Sequence, residues 1–162
     1  MNRELSLQNR QRARAVDLRL LRRITLVLLA DLLSAKHFTL GVHLVAAPEM
    51  AQLNETFLEH AGPTDVITFD HSTRAAPGPP TALHGEIFIC VDEVVVQARR
   101  FSATWQSELV RCLVHGLLHL YGHDDTQPGP RKSMKRKENS LLKQLASRFP
   151  LSKLRRQPKV AP

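Results

Sequence analysis

A chain of 162 residues, 43% of them hydrophobic, suits one domain that buries a real core without disulfide support, and this excludes wholesale disorder. Its net charge of +8 and pI near 10.2 leave two readings open, a polyanionic partner or a solvated basic surface. A membrane span needs ~20 apolar residues; the longest candidate, ITLVLLADLL at 24–33, is far shorter and carries Asp31, so no membrane association is expected.

In chain order, the opening MNRELSLQNRQ has no apolar signal region, and residues 2–8 read as a short edge strand. From about Arg14 to Leu33, Val16, Leu20, Ile24, Val27 and Leu28 recur at helical spacing with arginines on the other face. FTLGVHLVA, 38–46, alternates and is rich in β-formers, so it reads as a strand. Pro48 opens a helix that runs through about His60, since proline is tolerated in a first turn. DVITF, 65–69, is a second core strand, and HSTRAAPGPPTALHG, 71–85, is an irregular loop. Thr64, Asp65 and Thr68 either border a substrate groove or form a turn that caps this strand. EIFICVD, 86–92, is a third core strand, with Glu86 at a solvated end near the sheet edge, and a helix follows over 93–101. His60, His71 and His84 are expected to face water, and Phe101 and Trp105 to serve the core or staple a helix end. Cys90 and Cys112 lie in apolar runs without C-x-x-C spacing, which reads as two reduced core thiols of a cytosolic protein with no disulfide partner.

Thr104 caps the next helix, 105–121, which contains the densest chemistry in the chain: HGLLHLYGHDD, 115–125. His115 and His119, four residues apart, share one helix face and can reach one metal ion. Gly122 ends the helix in the left-handed conformation, so the chain can turn back and bring Asp125 or His123 to the same ion. The pattern H-x3-H-x5-D gives zinc three protein ligands and an open position, the arrangement of catalytic sites. Zinc proteases of the H-E-x-x-H kind place a glutamate base directly after the first histidine; Gly116 stands there, which disfavours peptide hydrolysis. Pro128, Gly129 and Pro130 break the chain before a basic helix from about Arg131 to Arg148, and residues 150–162 read as a basic disordered tail. One domain over 1–149 is expected, an α/β (α+β) fold with a mixed sheet of three or four strands, about five helices, and the metal motif on a late helix.

VHGLLHLYGHDD resembles the H-G-x-L-H-L-x-G-x-D-H signature of the YbeY family of endoribonucleases. Upstream, LNETFLEHAGPTDVITF at 53–69 resembles that family's N-x-x-[FY]…P-T-D-V-[LI]-[ST]-F segment, and LHGEIFIC at 83–90 its G-[DE]-I-x-I-[CS] strand. The resemblance covers about residues 40–145 and departs at two places: Asp125 replaces the third histidine, and Leu58 stands where the family commonly has an arginine. It implies one zinc per chain on His115, His119 and, by position, Asp125, with His123 as rival third ligand. It further implies a single-strand-specific endoribonuclease acting on ribosomal RNA or a ribosomal particle, in 16S ribosomal RNA 3′-end maturation and ribosome quality control; a cytoplasmic monomer is expected. A ribosome-associated RNA-binding protein with a structural metal is the alternative. Eleven Lys and Arg against the single Glu138 lie between Arg131 and Lys159, and Lys135, Arg136 and Lys137 are the candidates for RNA backbone contact.

Overall fold

Phe38, Leu40, Val42 and Leu44 alternate along one strand and are buried on the same side as Leu83, Ile87 and Ile89 of another, so one sheet face becomes the floor of the main core. The structure, a computed structural model, describes residues 2–58, 64–73, 80 and 82–158. Its sheet consists of β1 (Arg3–Arg10), β2 (Phe38–Val45), β3 (Val66–Asp70) and β4 (Leu83–Cys90) in the order β1-β2-β4-β3. β1, β2 and β4 run parallel and β3 is antiparallel to β4, which makes the sheet mixed, with β1 at an edge. Parallel neighbours need a crossover. Between β1 and β2 it is helix α1 (Leu18–Val27), prolonged by a π-helical turn, Leu28–Leu32.

Helix α2 (Ala47–Leu53) and its π-helical extension Asn54–Leu58 follow β2. On the opposite side of the sheet, Val45, Met50, Ile67 and Cys90 form a second, smaller core flanked by Leu53, Phe69 and Phe88. Helix α3 (Val91–Arg100) leads to α4 (Trp105–Leu120), whose Leu109, Val110, Leu113, Val114, Leu117 and Leu118 are fully buried. A helix this apolar lies in the centre of the fold. It rests on the sheet at Gly116, where an added Cβ would meet Ile87 Cγ2 at 3.0 Å and Thr68 Cγ2 at 3.2 Å. Thr104 caps α4 by accepting from the Ser107 N–H at 3.1 Å. Helix α5 (Pro128–Arg148) lies against α4 through Met134, Leu141, Leu142 and Leu145.

Several expectations are corrected. Helix α1 begins at Leu18, because the Asp17 side chain accepts from the Leu20 N–H and ends the preceding extended segment. Pro128, Gly129 and Pro130 belong to the first turn of α5, where a missing N–H costs nothing. The expected loop ends early: β4 starts at Leu83, so Glu86 sits within a central strand paired on both sides. Phe101 is 67% exposed and joins no core, whereas Trp105 packs half-buried against it. The tail is ordered as far as it is described: Leu151–Leu154 form a 3-10 turn, Leu154 is fully buried, and Arg155 makes a β-bridge to Val16. Burial of Leu154 and Phe149 outweighs the polar composition from which disorder was expected. Of the free cysteines, both are buried, as read from their apolar runs. No helix among the described residues is long and apolar enough to cross a membrane.

Candidate metal centre

The i, i+4 spacing places the His115 and His119 rings one above the other near the end of α4, with centroids 4.7 Å apart. After Leu120 the chain turns through Gly122 at φ 94°, a left-handed conformation that favours glycine. That reversal brings Asp125 back over the helix. His119 Nε2 lies 3.1 Å from His115 Nε2 and 3.3 Å from Asp125 Oδ2, and His115 Nε2 lies 3.6 Å from the same oxygen. The three donors therefore converge on one point.

Both imidazoles are fixed by their far nitrogens. His115 Nδ1–H donates to Glu138 Oε1 at 2.9 Å, and His119 Nδ1–H donates to the His123 carbonyl at 3.2 Å. With Nδ1 carrying the proton, each Nε2 presents a lone pair to the common centre. Two facing lone pairs at 3.1 Å repel unless a proton or cation lies between them. Two nitrogens at ~2.0–2.1 Å from one tetrahedral zinc are about 3.3 Å apart, so the donor set fits such an ion. His123 enters by its backbone oxygen, while its ring is not among the converging donors. The geometry thus favours Asp125 over His123 as third ligand.

Glu138 was visible in the sequence only as the lone acid of a basic helix. It follows Met134 by four residues and precedes Leu141 and Leu145 by three and seven, so it occupies the buried stripe of α5. Its side chain is 3% exposed and takes bonds from His115, Arg111 at 3.0 Å and Lys135 at 2.8 Å. Burial opposes its charge, but the hydrogen bonds from His115 and Lys135 prevail and hold its pKa at about 2. The same bond raises the His115 pKa against the opposing effect of burial.

Beside His115 opens a groove of about 520 Å³ lined by Asp65, Glu108, Arg111, Cys112, Lys135 and Glu138, among others. Asp65 belongs to this groove; its Oδ1 also accepts from the Val66 N–H, and its Oδ2 faces the Cys112 thiol at 3.9 Å. Burial raises the pKa of Glu108 and raises that of Cys112 further, and both lie within 4.8 Å of an Asp65 oxygen. Thr68 is not in the groove but beneath α4 at Gly116. Glu86, His43 and His71 form a separate polar set on the opposite sheet face, with Glu86 bonded to His43 at 3.0 Å and to His71 at 3.1 Å. His71 and His84 are exposed, and His60 lies outside the described residues. Leu58, 44% exposed, ends the π-helical turn after α2. Of the three basic candidates, Lys135 is committed to Glu138, while Arg136 and Lys137 are exposed.

A family profile described as Endoribonuclease YbeY matches residues 6–146, nearly the whole folded region. The chain belongs to the YbeY family. A relative of that name from Chlorobium luteolum is 38% identical over 94 residues, which is 58% of this chain and 64% of the relative. Another from Cutibacterium acnes is 36% identical over 107 residues, 64% of this chain and 69% of the relative. The chain thus spans just under two thirds of the Chlorobium relative's length and slightly more of the Cutibacterium one. The solution structure of TM1509 from Thermotoga maritima, 23% identical, superposes with a TM-score of 0.64 over 98% of this chain and 99% of that one, so the fold is shared.

Proposed function

We propose that this YbeY-family chain is a metal-dependent endoribonuclease that hydrolyses single-stranded RNA, with one zinc ion on His115, His119 and Asp125. The observation that carries the reading is the convergence of His115 Nε2, His119 Nε2 and Asp125 Oδ2, with both Nδ1–H groups held from behind. Zinc in such a three-ligand site supplies Lewis acidity, polarising a phosphoryl oxygen and bringing the pKa of water down to ~7. The protein's own part is positional. Glu138 and the His123 carbonyl fix the tautomer and tilt of the two imidazoles, and Gly116, which can carry no proton, lets α4 lie close to the sheet. Arg111 and Lys135, both at the groove rim, balance the Glu138 charge beside His115.

The substrate in this reading is ribosomal RNA, including the 16S 3′ end, met in the cytoplasm by a monomer, free or on a ribosomal particle. Ribosome quality control follows from the same activity. Family membership and the basic charge support it, and exposed Arg136 and Lys137 remain available to phosphate. Leu58 and Asp125, the two departures from the family pattern, favour one second reading: a ribosome-associated RNA-binding protein whose metal is structural.

The two readings part on one experiment. Full-length protein is purified without an affinity tag, assayed for metal, and incubated with single-stranded and duplex RNA. Stoichiometric zinc, cleavage of the single strand, and loss of cleavage on chelation are expected. Asp125→Ala should weaken zinc binding far more than His123→Ala. Retained zinc without RNA cleavage would favour the structural-metal reading, and absence of any stoichiometric transition metal would overturn both.

A further inference from the structure

The ordered tail joins two arginine clusters that are remote in sequence. Arg155 bridges Val16 in antiparallel register, the Arg156 N–H donates to the Ala15 carbonyl at 2.9 Å, and the Asp17 N–H donates to the Leu154 carbonyl at 2.7 Å. These backbone bonds, anchored by buried Val16 and Leu154, fix Arg155 and Arg156 beside Arg12 and Arg14. The four arginines and Trp105 surround a groove of about 630 Å³ whose lining contains no acidic residue. Arg12, Arg155 and Arg156 are exposed, and half-buried Arg14 spends one N–H on the Ala13 carbonyl. Among the described residues none of the four has a carboxylate partner, whereas Arg10 and Arg148 each have one and Arg111 has two.

Four like charges held together by main-chain pairing repel one another, and an anion of repeating charge relieves that repulsion. Guanidinium groups match phosphate oxygens in a planar, bidentate way that ammonium groups do not. Trp105 adds an aromatic face beside them, and aromatic faces hold the bases of single strands. Trp105 also opens α4, the helix that carries His115 ten residues further on, about 15 Å along the axis.

We propose that this groove is a second contact site for single-stranded nucleic acid, separate from the metal centre, which grips the phosphate backbone and one base of an RNA whose scissile bond lies at His115 and His119. The proposal rests on the endoribonuclease reading for the identity of its ligand. It assigns the main backbone affinity to the joined termini instead of to α5.

The test uses the full chain with its metal. Binding is read by anisotropy of single-stranded oligothymidylate, which has the phosphates but no ribose hydroxyl, across a salt titration; cleavage is read on short and long oligouridylate. Each contact on a single strand contributes roughly 0.7 to the log–log salt slope. Arg155→Ala with Arg156→Ala, and separately Arg12→Ala with Arg14→Ala, should each flatten the slope by about 1.4 and raise KM for long oligouridylate at constant kcat. Lys36→Ala with Lys143→Ala, equal in charge but away from the groove, should leave the slope unchanged. Should the alanine pair at 155 and 156 fail to fold, Arg155→Lys with Arg156→Lys keeps the charge; it should retain the slope while losing affinity with the bidentate contacts. An unchanged slope in the groove variants, or equal flattening in the Lys36/Lys143 pair, overturns the proposal. So does loss of polyglutamate binding with oligonucleotide binding intact, which would give the groove to an acidic protein. If the parent cuts no RNA but its slope responds as stated, the groove stands and the endoribonuclease reading falls. If it cuts RNA with a slope indifferent to the arginines, the reverse holds.

Discussion

At the scale of single residues, Glu138 is the side chain on which the candidate centre most depends after its three donors. A carboxylate behind a ligating imidazole fixes the ring and raises its basicity, and loss of such a partner typically costs 10–100-fold in metal affinity. Glu138→Ala should therefore lower zinc affinity by about that factor, measured by competition with a chromophoric chelator, while the circular dichroism stays that of the parent. Glu138→Gln, which can still accept the His115 Nδ1–H, should lose less. An affinity unchanged in both would mean that the bond in the free chain does not steer the ligand. Glu108 makes a different prediction. Burial raises its pKa, so the folded state prefers the protonated acid and binds more protons than the unfolded chain between the two pKa values. Stability is then favoured below the ordinary carboxylate pKa and lost as pH rises through the raised one. Glu108→Gln should remove that decline, so that its urea midpoint, relative to the parent's, rises between pH 4 and pH 8.

At the scale of elements, α4 does two jobs that compete for space: it is the centre of the core and it presents two histidines at its end. Gly116 reconciles them, since it lies against Ile87 and Thr68 where neither neighbour can readily retreat. Ile87 is β-branched and held in a central strand, which leaves it few rotamers. Gly116→Ala would gain ~1 kcal/mol in helix propensity and lose ~1–3 kcal/mol to overpacking. A net loss of stability is expected, read as a lower urea midpoint, together with weaker zinc binding because His115 is the adjacent residue. A rise in midpoint would show that α4 can lift off the sheet without cost.

At the scale of the whole molecule, the C-terminal segment closes the fold. Leu154 is fully buried in the same core as Leu20, Leu21 and Leu113, and the segment beside it pairs with residues 15–17 near the start of the chain. Leu154→Ala should cost ~2–5 kcal/mol, as for other large-to-alanine changes in well-packed cores, seen as a drop in the thermal midpoint. If residues beyond Phe149 were an appendage, the midpoint would not move. The Arg23 guanidinium, 5.6 Å above the Phe149 ring, ties the same end to α1.

How far the sequence alone reached follows from the range of each interaction. The strands, the capped motif helix and the reversal at Gly122 depend on alternation, spacing and a single φ angle, all local properties, and they were legible in the letters. So was the pairing of His115 with His119, because an i, i+4 relation is fixed by helix geometry. Asp125 was preferred by position with His123 as its rival; what the letters did not show is that the path of the turn sets the His123 carbonyl, and not its ring, against His119. Glu138 was hidden because its partner lies 23 residues away, and a lone acid among cations reads as solvated until helix packing buries it. Composition misjudged residues 150–158: their charge suggested disorder, but Leu154 finds a cavity that sequence cannot display. Local physics determined the elements and the two histidines of this protein; contacts distant in sequence decided what stands behind them and brought its two basic ends together.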